Sequence, residues 1–125
     1  MLKLAVLGVA GGIGTVARYW LTGLVHRFAR ETFPFGTLAV NVLGCLLIGI
    51  VMHLVRDHQA LGPEARTLVI VGLLGGFTTF SAFGYETFEL LHGGSFFLAA
   101  ANVAGNVVLG TGAVWLGMIA GRALL

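Results

Sequence analysis

The sequence predicts an all-α integral membrane protein of four transmembrane helices, and its composition, its charge clustering and the length of its uncharged runs each point that way. Hydrophobic residues make up 58% of the 125 positions and charged residues only 10%, too few to clothe a water-soluble domain. The charges also cluster. They leave uncharged runs at 32–55, 67–85 and 90–121, and a run at 4–25 interrupted only by Arg18. Roughly 20 helical residues, rising about 1.5 Å each, cross a hydrocarbon core of about 30 Å with every backbone group satisfied internally. Four such helices use nearly the whole chain, so 1–125 reads as one domain.

Helix 1 is expected over about 3–27. Its apolar run starts almost at Met1 and leads into charged and aromatic residues without a small-residue cleavage signature, so it is expected to stay as a span and not to be removed as a signal peptide. Its opening, Leu4 to Gly14, mimics the strand and glycine turn of a dinucleotide-binding unit. Such a unit needs further strands and amphipathic helices in a soluble sheet, and everything that follows is of spanning length, so no nucleotide is expected. Arg18 is the one charge inside this helix. It either anchors at the headgroup level beside Tyr19 and Trp20 or lends positive potential to an anion vestibule.

Helix 2 is expected over about 36–55, after the connector Arg30-Glu31-Thr32-Phe33-Pro34. Asn41 lies in its uncharged stretch, where an unpaired amide costs several kcal/mol in hydrocarbon. It faces either an interhelical partner or a permeating anion that takes its N–H. Cys45 is the only cysteine, so no intrachain disulfide is possible, and it reads as a packing residue.

Helix 3 is expected over about 64–92 and carries Gly75-Gly76-Phe77-Thr78-Thr79-Phe80-Ser81-Ala82-Phe83. Paired glycines, two threonines and a serine weaken helical continuity, so a break in mid-membrane is expected, against the alternative of a continuous helix with a glycine packing face. Irregular backbone at that depth must line a cavity or be enclosed by protein, and carbonyls freed there can coordinate a cation. Phe80 and Phe83 project from nearly one face of the resumed helix. They are either packing residues or a pair of ring edges offered to a small anion. Glu86 reads as a vestibule residue or a solvated helix end; Glu89 reads as the latter.

Helix 4 is expected over about 96–122, after His92-Gly93-Gly94-Ser95. Gly8/Gly12, Gly72/Gly76 and Gly117/Gly121 share a four-residue spacing that lines small residues along a face, which predicts tight helix packing and a homo-oligomer. An even number of spans gives one side Lys3, Arg56, Arg66 and Arg122, and the other Arg27 and Arg30. That imbalance is weak by the positive-inside rule and admits insertion in both orientations.

Several classes drop out. The few basic residues are dispersed, which speaks against nucleic acid. His26, His53, His58 and His92 sit near span ends without paired ligand spacing, and no triad or carboxylate pair stands out, so neither a transition-metal site nor an enzyme is expected.

Three stretches carry a family resemblance: Gly11-Gly12-Ile13-Gly14-Thr15-Val16-Ala17-Arg18-Tyr19, Phe35-Gly36-Thr37-Leu38-Ala39-Val40-Asn41, and Gly75 to Phe83. In these motifs, their order and the chain length, the sequence resembles the bacterial fluoride channel family, called Fluc or CrcB. The resemblance implies a fluoride-selective channel of the bacterial inner membrane, built as an antiparallel dual-topology homodimer with two pores. It further implies that Asn41 donates its amide to fluoride, that Phe80 and Phe83 present ring edges, that Thr79 and Ser81 supply hydroxyls, and that Thr37 lines the same pore. It assigns the Gly75 and Thr78 carbonyls to a structural Na⁺ that is not transported. Where the family commonly has tyrosine or another polar residue and then serine on helix 4, this chain has Asn102 and Asn106, which keep a polar track on one face. Ala82 stands where the family often has threonine. The rival readings are a proton-coupled small multidrug transporter, which normally has a glutamate in helix 1, and a purely structural membrane subunit.

Overall fold

The connectors ahead of the second, third and fourth spans carry breakers, with Pro34 before the second span, Gly62-Pro63 at the start of the third and Gly93-Gly94 before the fourth. The computed structural model describes residues 1–124, with the side chain of His58 outside the described set. Helix α1 runs Leu2–Phe28 and α2 Phe35–His58, the latter starting after Pro34 and stopping at Gln59, whose φ of 47° is left-handed. The third span, Pro63–His92, opens on a proline in its first turn, which helices tolerate because that N–H has no partner anyway. The fourth span is Phe96–Leu124. All four helical spans are long and apolar enough to cross a membrane.

The last two spans are not uniform helices. The third is assembled from α3 (Pro63–Thr67), a π-helical stretch (Leu68–Leu74), α4 (Gly75–Phe77) and α5 (Phe80–His92), with Thr78 and Thr79 extended between α4 and α5. The Thr79 hydroxyl accepts the Ala82 N–H at 3.2 Å and so caps α5. The fourth comprises α6 (Phe96–Ala104), a π-helical stretch (Gly105–Leu109) and α7 (Gly110–Leu124). A π turn takes up an extra residue and rotates everything beyond it, and such turns concentrate at functional sites.

Packing relies on backbones that touch. α2 lies along α7, where a Cβ added to Gly117 would sit 3.0 Å from the Ile50 nitrogen and against the Leu46 carbonyl. α1 lies along the first half of the third span, where a Cβ on Gly76 would sit 3.1 Å from Gly11 Cα. Within the subunit, α1 does not use its Gly8/Gly12 face. Gly8 and Gly12 have nothing within 4 Å, and the contact is made by Gly11 and the buried Gly14, where a Cβ would stand 2.9 Å from the Phe77 nitrogen. Four-residue spacing marks a small-residue face, but the neighbour decides which small residue is used, and here Gly72, Gly76 and Phe77 meet the adjacent face that carries Gly11 and Gly14.

The buried apolar core is small, consisting of Val40, Leu74, Phe77, Ala99 and Ala113. Large apolar side chains instead cover the outside, with Val16 68% and Trp115 65% exposed, the inverse of a water-soluble surface. The Lys3 ammonium lies 3.5 Å from the Glu64 carboxylate, so the N-terminus and the α2–α3 connector share one end of the bundle.

Candidate functional site

The extended residues Thr78 and Thr79 open onto a cavity of about 350 Å³ bounded by α2, the third span and the π-helical part of the fourth. Asn41, Gly75, Thr79, Phe80, Phe83 and Asn106 all line it. The Phe80 and Phe83 rings form a tilted pair with centroids 5.5 Å apart, and Phe80 is 82% exposed. Gly44 lets this region close up, because the Thr78 methyl occupies the place a side chain would need. Cys45, one turn from Asn41, also lines the cavity.

Asn41 grips the interruption in the third span from across the bundle. Its Oδ1 accepts the Thr79 N–H at 2.9 Å and its Nδ2 donates to the Thr79 carbonyl at 3.1 Å. In an uninterrupted helix the Thr79 N–H would bond the Gly75 carbonyl and the Ala82 N–H would bond the Thr78 carbonyl. Asn41 takes the first donor and the Thr79 hydroxyl takes the second. The Gly75 and Thr78 carbonyls are thereby released from the helical ladder, which is the donor chemistry a hard cation accepts.

The second Asn41 N–H donates to Asn106 Oδ1 at 3.0 Å. Asn106 Nδ2 in turn reaches the Asn102 backbone carbonyl at 2.9 Å and its Oδ1 at 3.1 Å. Asn102, fully buried, donates to Thr87 Oγ1 at 2.9 Å, and Thr87 donates to the Phe83 carbonyl at 2.8 Å. A polar thread thus joins the second, third and fourth spans, with each buried amide satisfied. Asn106 stands on the cavity wall; Asn102 supports it from behind.

The other expected residues lie apart from this cavity or at its edge. Ser81 is exposed, with its hydroxyl 3.4 Å from that of Thr79. Thr37, buried, donates to a Glu86 carboxylate oxygen at 2.7 Å, forming a separate cluster between α2 and α5. Arg18 is half-buried, with its Nε enclosed and no hydrogen-bond partner among the described residues. Among the described residues no cluster of His, Cys, Asp or Glu suits a metal ion. Sequence reasoning missed Thr87 and Gly44. Thr87 was findable as a hydroxyl four residues after Phe83 inside a span, whereas Gly44 was one glycine among 20.

The chain matches, over residues 5–118, the family model described as CrcB-like protein, Camphor Resistance (CrcB). It is 46% identical over 124 residues to the fluoride-specific ion channel FluC of Geobacter sulfurreducens, covering 99% of this chain and 100% of that protein. It is 43% identical to the FluC of Nitratidesulfovibrio vulgaris, covering 98% of each, and 42% identical to that of Geobacter sp. strain M21, covering 99% of this chain and all of that protein.

Proposed function

The chain belongs to the CrcB-like family, and from that membership we propose that it is a fluoride-selective channel, not an enzyme, which lets F⁻ leave the bacterial cytoplasm passively across the inner membrane. The assembly proposed is an antiparallel dual-topology homodimer with two pores, in which the third span is broken at mid-membrane. The observation that carries the reading is the cavity that collects the Asn41 amide, the Phe80–Phe83 pair and the Thr79 backbone in one place.

Fluoride is small and tightly hydrated, so a pore must replace its water with weak, closely spaced donors that let it both enter and leave. The Asn41 N–H is such a donor, and an aromatic ring carries positive potential at its edge. The Thr79 and Ser81 hydroxyls, 3.4 Å apart, extend the polar lining, and in this reading Thr37, bonded to Glu86 apart from the cavity, continues the path beyond it. Arg18 and Glu86 sit at the vestibule in this reading.

Two released carbonyls per subunit become four oxygen ligands on a two-fold axis, a set that fits a structural Na⁺ held by Gly75 and Thr78. When bound, that ion supplies positive potential to the anion path in a low dielectric. The transporter alternative gains no support. Glu86 is outside the cavity and already bonded to Thr37.

Liposomes loaded with fluoride and containing the purified protein should release F⁻ rapidly and Cl⁻ poorly, read with ion-selective electrodes. Phe80→Ile should assemble normally and lose throughput by at least tenfold, since its aliphatic side chain has no positive edge. Absence of fluoride efflux from the unmodified protein would sink the channel reading; undiminished flux in Phe80→Ile would remove the ring from the mechanism.

A further inference from the structure

The amide thread has a direction, fixed at both ends by groups that cannot change roles. The Phe83 carbonyl only accepts, so the Thr87 hydroxyl must donate to it and accept from Asn102 Nδ2. That turns Asn102 Oδ1 toward Asn106, and together with the Asn102 backbone carbonyl it holds both hydrogens of Asn106 Nδ2. Asn106 is left presenting Oδ1 to Asn41. At the other end, the Thr79 N–H only donates and the Thr79 carbonyl only accepts, which fixes the Asn41 carboxamide in the complementary orientation. Neither amide can flip without setting a donor against a donor. Both Asn41 N–H groups are consequently engaged within the subunit, one by Thr79 and one by Asn106.

We propose that Asn106 is a positioning residue for the conduction step: its Oδ1 is a placeholder that occupies the Asn41 N–H facing the cavity and that a passing fluoride displaces and then yields back. The inference rests on the channel reading above and identifies what Asn106, a departure from the family pattern, does there. An anion arriving at a bare N–H gains the whole bond and is slow to leave. One that must first displace an amide oxygen gains only the difference, which keeps occupancy short, and a conducting site needs that balance. The Asn106 oxygen suits this role because it lines the same cavity as Asn41, Phe80 and Phe83 while its other end is held by the buried Asn102.

The test measures fluoride flux against fluoride concentration in liposomes for two variants expected to move in opposite directions. Asn106→Leu keeps the shape and removes the placeholder. Its half-saturating fluoride should fall about fivefold, the equivalent of one neutral hydrogen bond of about 1 kcal/mol, and its maximal flux should fall with it. Asn106→Asp keeps a charged acceptor for Asn41 and gives up the donor to Asn102, so it should raise half-saturating fluoride both by holding the Asn41 N–H more tightly and by repelling the ion. If Asn106→Leu fails to assemble, Asn106→Ser, whose hydroxyl is one bond too short to reach Asn41, carries the same expectation.

A shift of the neutral and charged variants in the same direction, or no shift in either, would overturn the placeholder role. So would a rise in half-saturating fluoride for Asn106→Leu, which would make Asn106 a direct ligand of the ion. A lack of flux in the unmodified protein would instead overturn the channel reading itself, so the two failures are separable.

Discussion

At the scale of single residues, Asn41 carries two duties that substitutions can separate. Its Oδ1 satisfies the Thr79 N–H, a structural duty, and its Nδ2 is the donor proposed to meet the ion. Asn41→Leu removes both and leaves the N–H and carbonyl of Thr79 without partners, which costs about 1–3 kcal/mol for each buried group. It should lose flux and unfold at lower denaturant. Asn41→Asp keeps the acceptor for the Thr79 N–H but sets its second oxygen against the Thr79 carbonyl and Asn106 Oδ1, so it should lose less stability than Asn41→Leu while its negative charge repels fluoride and abolishes flux. Equal loss of stability in the two variants would contradict this division. The sequence made Asn41 legible as an amide that must find a partner in an uncharged span. It could not reveal that the partner is a backbone 38 residues away, because no local spacing encodes a contact between separate spans.

At the scale of elements, helix contact depends on particular glycines. Gly117 and Gly76 leave no room for a methyl, the first against the α2 backbone and the second against Gly11. Gly117→Ala and Gly76→Ala should each cost about 1–3 kcal/mol through overpacking, and Gly12→Ala should leave the subunit's own packing unchanged. Denaturant titration in detergent ranks the three. Loss of stability in Gly12→Ala would locate a contact outside the subunit, whereas tolerance of Gly117→Ala would contradict the α2–α7 packing. The four spans were readable because hydropathy over about 20 residues is a strong signal. The two π-helical stretches were not, since Leu68–Leu74 is an apolar run with no residue that marks a widened turn. Which glycine face α1 would use was likewise open, because Gly8, Gly11, Gly12 and Gly14 surround much of the helix and only the arrival of Phe77 chooses among them.

At the scale of the whole molecule, the proposed pore lies at the subunit's surface. Phe80, central to it, is 82% exposed, so the antiparallel partner of the proposal would enclose it, while lipid would cover apolar side chains elsewhere on the outside. That assembly requires the chain to insert both ways, and the charges permit it. Lys3, Arg56, Arg66 and Arg122 stand at one end against Arg27 and Arg30 at the other, an arrangement supported by Lys3 meeting Glu64 beside the α2–α3 connector. A difference this small is within reach of a few substitutions, since orientation follows lysines and arginines close to the spans. Arg27→Gln with Arg30→Gln should drive nearly all copies to place their termini in the cytoplasm. Lys3→Gln, Arg66→Gln and Arg122→Gln together should drive them the other way. Each set expressed alone has no antiparallel partner and should lose fluoride resistance in cells that depend on this protein, with C-terminal reporters reading the orientation. Co-expression of the two sets supplies both orientations and should restore resistance. Full resistance from one set, with its reporter entirely on one side of the membrane, would refute the antiparallel dimer while leaving fluoride conduction itself intact.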